Sequence, residues 1–162
     1  MYSKILVPLD SSELAECGLE QVKRNVSPGG GSEVILLRVI EPISANDAAA
    51  WAQAGYMLVD VQNKNKALAK EYLSKIAERL SNEGVTSRAE VIEGRAAESI
   101  IDYAEKNQID LIIMSTHGRS GISRFAFGSV ADNVASHSAI PVLVVTSPGC
   151  RVKQPAAGLP KV

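Results

Sequence analysis

Short, solidly apolar runs alternate with amphipathic stripes along this chain, and that rhythm limits the fold more than any other feature. Ile5-Leu6-Val7 is a β-branched run that Pro8 ends. Ala15, Gly18, Leu19, Val22 and Val26 then recur at i, i+3, i+4, i+7 and i+11, the spacing of one helix face. Ser27-Pro28-Gly29-Gly30-Gly31 stops that helix and permits a tight return. Val34 to Ile40 is apolar almost throughout, as expected of a strand covered on both faces.

The pattern then predicts a loop over Glu41–Asp47 and a helix from Ala48 to Val61, with Trp51 as a packing anchor. From Gln62 a sharper stripe of Ala69, Tyr72, Leu73, Ile76, Ala77 and Leu80 predicts a helix that Gly84 closes in a left-handed conformation. Ala89–Ile92 reads as a weaker strand, and Ala97, Ile100, Ile101 and Ala104 as the next helix. Asp110–Met114 is a fourth strand, residues 129–137 a short helix and Pro141–Val145 a fifth strand. Residues 147–162 carry Pro148, Pro155 and Pro160 with little to bury, which predicts a flexible tail after one domain over 1–146. The whole is an α/β fold, a five-stranded parallel doubly wound sheet with helices on both faces. Periodicity fits strand order 3-2-1-4-5 and 2-1-3-4-5 equally. In either, ligands bind at carboxyl strand ends where the winding reverses.

Charge excludes other classes. Lys and Arg number 17 against 18 Asp and Glu, and the net charge is -1. That is no footprint for a duplex-DNA binder, so no nucleic-acid partner is expected. No apolar window is long enough to cross a membrane, and Met1-Tyr2-Ser3-Lys4 opens no signal peptide. Cys17 and Cys150 lie far apart in sequence and make no metal or redox pair, which reads as a cytoplasmic chain with two reduced thiols.

Two loops at carboxyl strand ends carry chemistry. After strand four comes Met114-Ser115-Thr116-His117-Gly118-Arg119-Ser120-Gly121, continuing to Gly128-Ser129-Val130. Its glycines permit close backbone approach and positive φ, and Gly128-Ser129-Val130 opens a helix whose free N–H groups attract anions. Arg119 and Arg124 add positive charge. The stretch has no Walker lysine and no G-x-G-x-x-G, against a P-loop enzyme or a dehydrogenase. A competing reading makes Ser129, with Asp132 three residues on, a simple helix cap. Asp10 has two readings also: a carboxylate for a ribose or a phosphate-bound metal, or an N-cap boxed with Glu13. His117 has no catalytic partner at useful spacing and reads as loop support. His137 suits the C-terminal end of a helix. Neither G-x-S-x-G nor a compelling general base is present, so no catalytic residue is assigned.

These residues resemble the universal stress protein family over about residues 2–146. The matching pieces are Ile5-Leu6-Val7-Pro8-Leu9-Asp10, Leu36-Leu37-Arg38-Val39, the Ser115–Gly121 and Gly128–Val130 segments, and Pro141–Val145. The resemblance implies order 3-2-1-4-5 and, in one branch, adenine-nucleotide binding through G-x2-G-x9-G-[ST]. Gly118, Gly128 and Ser129 match that motif here, and its first glycine falls on Ser115. Carried over, it puts Asp10 near the ribose, Val39 beside the adenine, and Pro8, Leu9, Met114 and Ser115 around the base. Gly118, Arg119, Gly128, Ser129 and Val130 would surround the phosphates. The cofactor implied is ATP, or AMP or ADP, with magnesium. The partner implied is a second copy, joined through Pro141 to Val145. The leading function is an ATP-binding sensor or regulatory dimer. Alternatives are a nucleotide-free interaction module on the same fold and a slow ATP hydrolase.

Overall fold

The apolar runs become five strands in a computed structural model that describes residues 2–12, 15–26, 31–116 and 128–146. They are β1 (Lys4–Pro8), β2 (Glu33–Ile40), β3 (Ser87–Glu93), β4 (Leu111–Thr116) and β5 (Val142–Thr146), all parallel. Their order is β3-β2-β1-β4-β5, which decides between the two orders periodicity allows. The helices are α1 (Gly18–Asn25) behind a 3-10 turn at Ala15–Cys17, α2 (Ala45–Gln53), α3 (Leu58–Asn82), α4 (Ala96–Lys106) and α5 (Ser129–His137).

Successive side chains of a strand point to opposite faces, so each central strand feeds two cores. Ile5, Val7, Val34, Leu36 and Ile113 pack against Leu19 and Val22 of α1 and Leu73, Ile76 and Leu80 of α3. Leu6, Ile35, Leu37, Ile112 and Met114 pack on the other face against Ile100 and Ala104 of α4 and Ala131 and Val134 of α5. This double cover explains why β1, β2 and β4 read as unbroken apolar runs. It leaves the carboxyl ends of the strands as the place where the layers do not close.

The segment after β2 departs from expectation. Its helix begins at Ala45, inside the expected loop, because Ser44 is an N-cap whose hydroxyl accepts from the Asp47 N–H at 3.1 Å. It stops at Gln53, and Gly55, at φ 82°, turns the chain into α3, which starts at Leu58. Two helices therefore replace one. α2 buries none of its residues. Trp51 is 41% exposed and meets Tyr56 edge-on at 5.5 Å, so it braces the hairpin rather than anchoring the core. Gly84, at φ 79°, closes α3 as expected.

Cys17, 5% exposed, is disulfide-bonded, which corrects the expectation of two reduced thiols. The chain's other cysteine, Cys150, and the expected tail over 147–162 lie outside the described residues. Among the described residues no helix is long and apolar enough to cross a membrane.

Candidate functional site

From β1 the chain winds outward to β2 and β3, then returns to lay β4 on the other side of β1. The helices following β1 and β4 therefore diverge, and a cavity of about 240 Å³ opens over the carboxyl ends of these strands and β2.

One lip is the end of β1. The Leu9 N–H bonds the Leu37 carbonyl at 2.9 Å, so the ladder holds Leu9 in place while Asp10 leaves the sheet. Ser11, at φ 69°, bends the chain back sharply. Asp10 Oδ1 then accepts from the Ser12 N–H at 2.9 Å and from the Ser12 hydroxyl at 2.5 Å. The Ser12 hydroxyl in turn accepts from the Ala15 N–H at 3.1 Å. Ser12 thus makes the helix-entry contact expected of Asp10, whose short Asx-type turn keeps it out of the capping position. Glu13 lies outside the described residues. Burial works to raise the Asp10 pKa, but the two Ser12 hydrogen bonds and the Arg38 charge outweigh it and hold the carboxyl below its ordinary value. Asp10 is an anion at neutral pH.

The other lip joins the end of β4 to the start of α5. Ser115 pairs with Val145 in the sheet, and its hydroxyl donates to the Ala15 carbonyl at 3.3 Å. A Cβ on Gly18 would stand 3.2 Å from that hydroxyl, so the bare Gly18 backbone is what leaves room for a serine. The non-glycine residues with positive φ among those described are Ser11 and Gln108. Ser115 therefore occupies the first motif position in ordinary strand conformation, where no glycine is required. Gly128 is also conventional, at φ -52° and ψ 144°, which corrects the expectation that it supplies positive φ. Its lack of a side chain, not its backbone freedom, distinguishes it.

Gly128 is itself the N-cap of α5, and its N–H donates to the Thr116 hydroxyl at 2.8 Å. Ser129 is the first helical residue and makes no side-chain cap, so the capping reading fails. The first helical bond runs from the Asp132 N–H to the Gly128 carbonyl at 2.9 Å. The N–H groups of Ser129, Val130 and Ala131 precede it, and all three residues line the cavity. Among the described residues these donors have no acceptor.

Nine expected site residues line this one cavity: Pro8, Leu9 and Asp10 from β1, Val39 from β2, Met114 and Ser115 from β4, and Gly128, Ser129 and Val130. Gly118 and Arg119 lie outside the described residues, as do His117, Gly121 and Arg124. The sequence reading missed Thr116, which positions Gly128, and Arg38, which approaches the Leu9 carbonyl at 3.4 Å and biases Asp10. Thr116 was accessible from strand alternation, which puts it on the face of Met114. It also missed Ala96 and Ile100, which α4 contributes across the sheet, and no local pattern announces such a contact. His137 bonds the Asn133 carbonyl through Nδ1 at 2.9 Å, within the last turn of α5 as expected. Among the described residues no group of three or more His, Cys, Asp or Glu side chains is placed to hold a metal.

The Universal stress protein family model matches residues 1–146. This chain belongs to the universal stress protein family. It is 31% identical over 153 residues to the universal stress protein MJ0531 of Methanocaldococcus jannaschii, covering 91% of this chain and 84% of that relative. A solved structure of MJ0577, a universal stress protein of the same organism, superposes with a TM-score of 0.73 at 34% identity. That match covers 90% of this chain and 96% of the other. A universal stress protein family member from Arabidopsis thaliana, solved with AMP bound, has a TM-score of 0.64 at 18% identity. It covers 89% of this chain and 91% of that one and shares the fold.

Proposed function

We propose that this chain binds an adenine nucleotide, ATP foremost, in the cavity over β1 and β4, and works as a cytoplasmic sensor or regulatory homodimer. The observation that carries the reading is the opposition of two unlike lips. Asp10 offers an ionised acceptor on one side, and the leading N–H groups of α5 offer donors on the other. Between them Pro8, Val39, Ile100 and Met114 give apolar walls for a flat base.

A nucleotide fits this chemistry from end to end. Ribose hydroxyls donate to Asp10, and phosphate oxygens accept from Ser129, Val130 and Ala131, aided by the positive end of the α5 dipole. Gly118 and Arg119 complete the phosphate contacts in this reading. Magnesium would be held mainly by the phosphates, because the described protein residues offer it no cluster of their own. The AMP-bound structure of the Arabidopsis relative supports the proposal. For the dimer, β5 is an edge strand whose Val142, Leu143, Val144 and Val145 are all partly exposed, a surface that pairing with a second copy would cover.

The test is titration calorimetry of magnesium-ATP into full-length protein stripped of endogenous nucleotide. Saturable micromolar binding is the expected result. A folded protein that takes up no heat with ATP, ADP or AMP would overturn the assignment and leave an interaction module on the same fold.

A further inference from the structure

The turn that leads into α1 touches both lips of the nucleotide cavity. The Ala15 N–H donates to the Ser12 hydroxyl at 3.1 Å, and that hydroxyl holds Asp10. The Ala15 carbonyl accepts from the Ser115 hydroxyl at 3.3 Å, and Ser12, Ala15 and Ser115 all line the cavity. Glu16 fastens the same turn to α3, accepting from the Tyr72 hydroxyl at 3.2 Å and from Arg79 at 3.0 Å. Cys17 is its last residue, buried and disulfide-bonded. The chain contains two cysteines, so the partner is Cys150. Cys150 stands four residues beyond Thr146, the end of β5, a tether of at most about 14 Å. β5 in turn pairs with β4, Val145 against Ser115. The bridge therefore ties the turn covalently to the strand beside the Ser115 lip.

We propose that the Cys17–Cys150 bridge is a redox switch on the nucleotide site. Closed, it fixes the Ala15–Cys17 turn and with it both lips; open, it releases them and weakens binding. The inference rests on the nucleotide reading above and names its regulation. The hydrogen bond from Ser115 to Ala15 is long, so it holds the turn to β4 only loosely, and the covalent tie supplies what that bond lacks. Fixing the lips before the ligand arrives lowers the cost of ordering them and raises affinity. In a reducing cytoplasm such a bridge opens and closes with the redox state instead of persisting. Opening is a two-electron exchange with a dithiol. One thiolate of the dithiol attacks one sulfur of the bridge, and the other cysteine leaves as a thiolate and takes up a proton. The second thiolate of the dithiol then closes its own disulfide and releases the remaining cysteine. Closing runs the exchange in reverse, with a small-molecule disulfide as the oxidant.

The test compares full-length protein equilibrated with oxidised glutathione and with dithiothreitol, each titrated with magnesium-ATP and followed by amide hydrogen exchange. Thiol titration of the denatured chain should find no free thiol in the oxidised form and both cysteines free in the reduced one. Reduction should weaken ATP binding about threefold or more and speed exchange at the amides of Ala15 to Cys17. Cys150→Ser opens the bridge without touching the buried Cys17, so it should match reduced wild type in either buffer. Equal affinity and equal exchange in the two forms would overturn the inference. So would free thiols in the oxidised chain, a covalent dimer on a non-reducing gel, or a C150S protein that still responds to dithiothreitol. ATP binding by neither form would overturn the nucleotide reading instead, and the exchange rates of the turn would still decide the switch.

Discussion

Asp10 and Gly128 serve the cavity for different reasons, and their substitutions separate binding from folding. Asp10 is exposed, and it accepts its hydrogen bonds from Ser12 two residues away, so Asp10→Ala removes little from the core. Hydrogen bonds to charged groups contribute about 1.5–3 kcal/mol, so nucleotide affinity should fall about tenfold or more with the melting temperature nearly unchanged. Calorimetry beside a thermal melt checks this, and a change in melting temperature alone would make the carboxylate a loop brace. The pH dependence has a definite sign. The folded-state pKa of Asp10 is depressed, so its contribution to stability is complete above the unfolded value and is lost as pH falls through the lowered one. ATP affinity should accordingly persist down to the acid end of the carboxylate range. Gly128→Val tests the opposite lip. Among the described residues a Cβ there would meet only the Thr116 hydroxyl, at an ordinary 3.7 Å, and φ -52° suits any residue. The variant should fold normally and bind ATP at least tenfold more weakly, a loss of about 1.4 kcal/mol. Unchanged affinity would remove the α5 N-terminus from the site.

Stability is unevenly spread among the elements. The half of α3 from Ala69 to Leu80 is fixed to the sheet by Leu73, Ile76 and Leu80, each at most 4% exposed, whereas α2 buries nothing. Leu73→Ala should cost about 2–5 kcal/mol in denaturant unfolding. Hydrogen exchange should run fast through α2 and slowly through the second half of α3, because local opening follows the apolar contacts that oppose it. Equal protection of the two would contradict that assignment. The same unevenness explains what the residues disclosed in advance. Strands β1, β2, β4 and β5 and helices α1, α4 and α5 were legible because burial on one or both faces writes a period into the chain. The hairpin was not, since a helix that buries no face carries no stripe, and Ala48–Ala50 fit any register. Asp10 and Gly128 were legible from their places at carboxyl strand ends, and Val39 only through the family resemblance. Arg38 and Ile100 reach the cavity through tertiary packing, which one strand or helix cannot encode.

At the scale of the molecule, the two sheet edges are treated differently. β3 is blunted by charge: Arg88 pairs with Glu33 and Glu90, and Glu93 pairs with Lys66. Among the described residues β5 has no such guard, and four consecutive aliphatic residues are partly exposed along that edge. Two parallel-sheet edges of one molecule face the same solvent, so a difference in their protection implies a difference in use. Val144 is the residue on which to test it, because it belongs to neither apolar core, while Val142, Leu143 and Val145 each pack against one. Val144→Lys should therefore leave the melting temperature within a few degrees of wild type and remove the β5 contact. Light scattering after gel filtration should show the mass reduced by one association step. The same variant should still bind ATP, because the β5 residues Val142–Val145 do not line the cavity between β1 and β4. A V144K protein with the wild-type mass would mean that β5 makes no contact between copies.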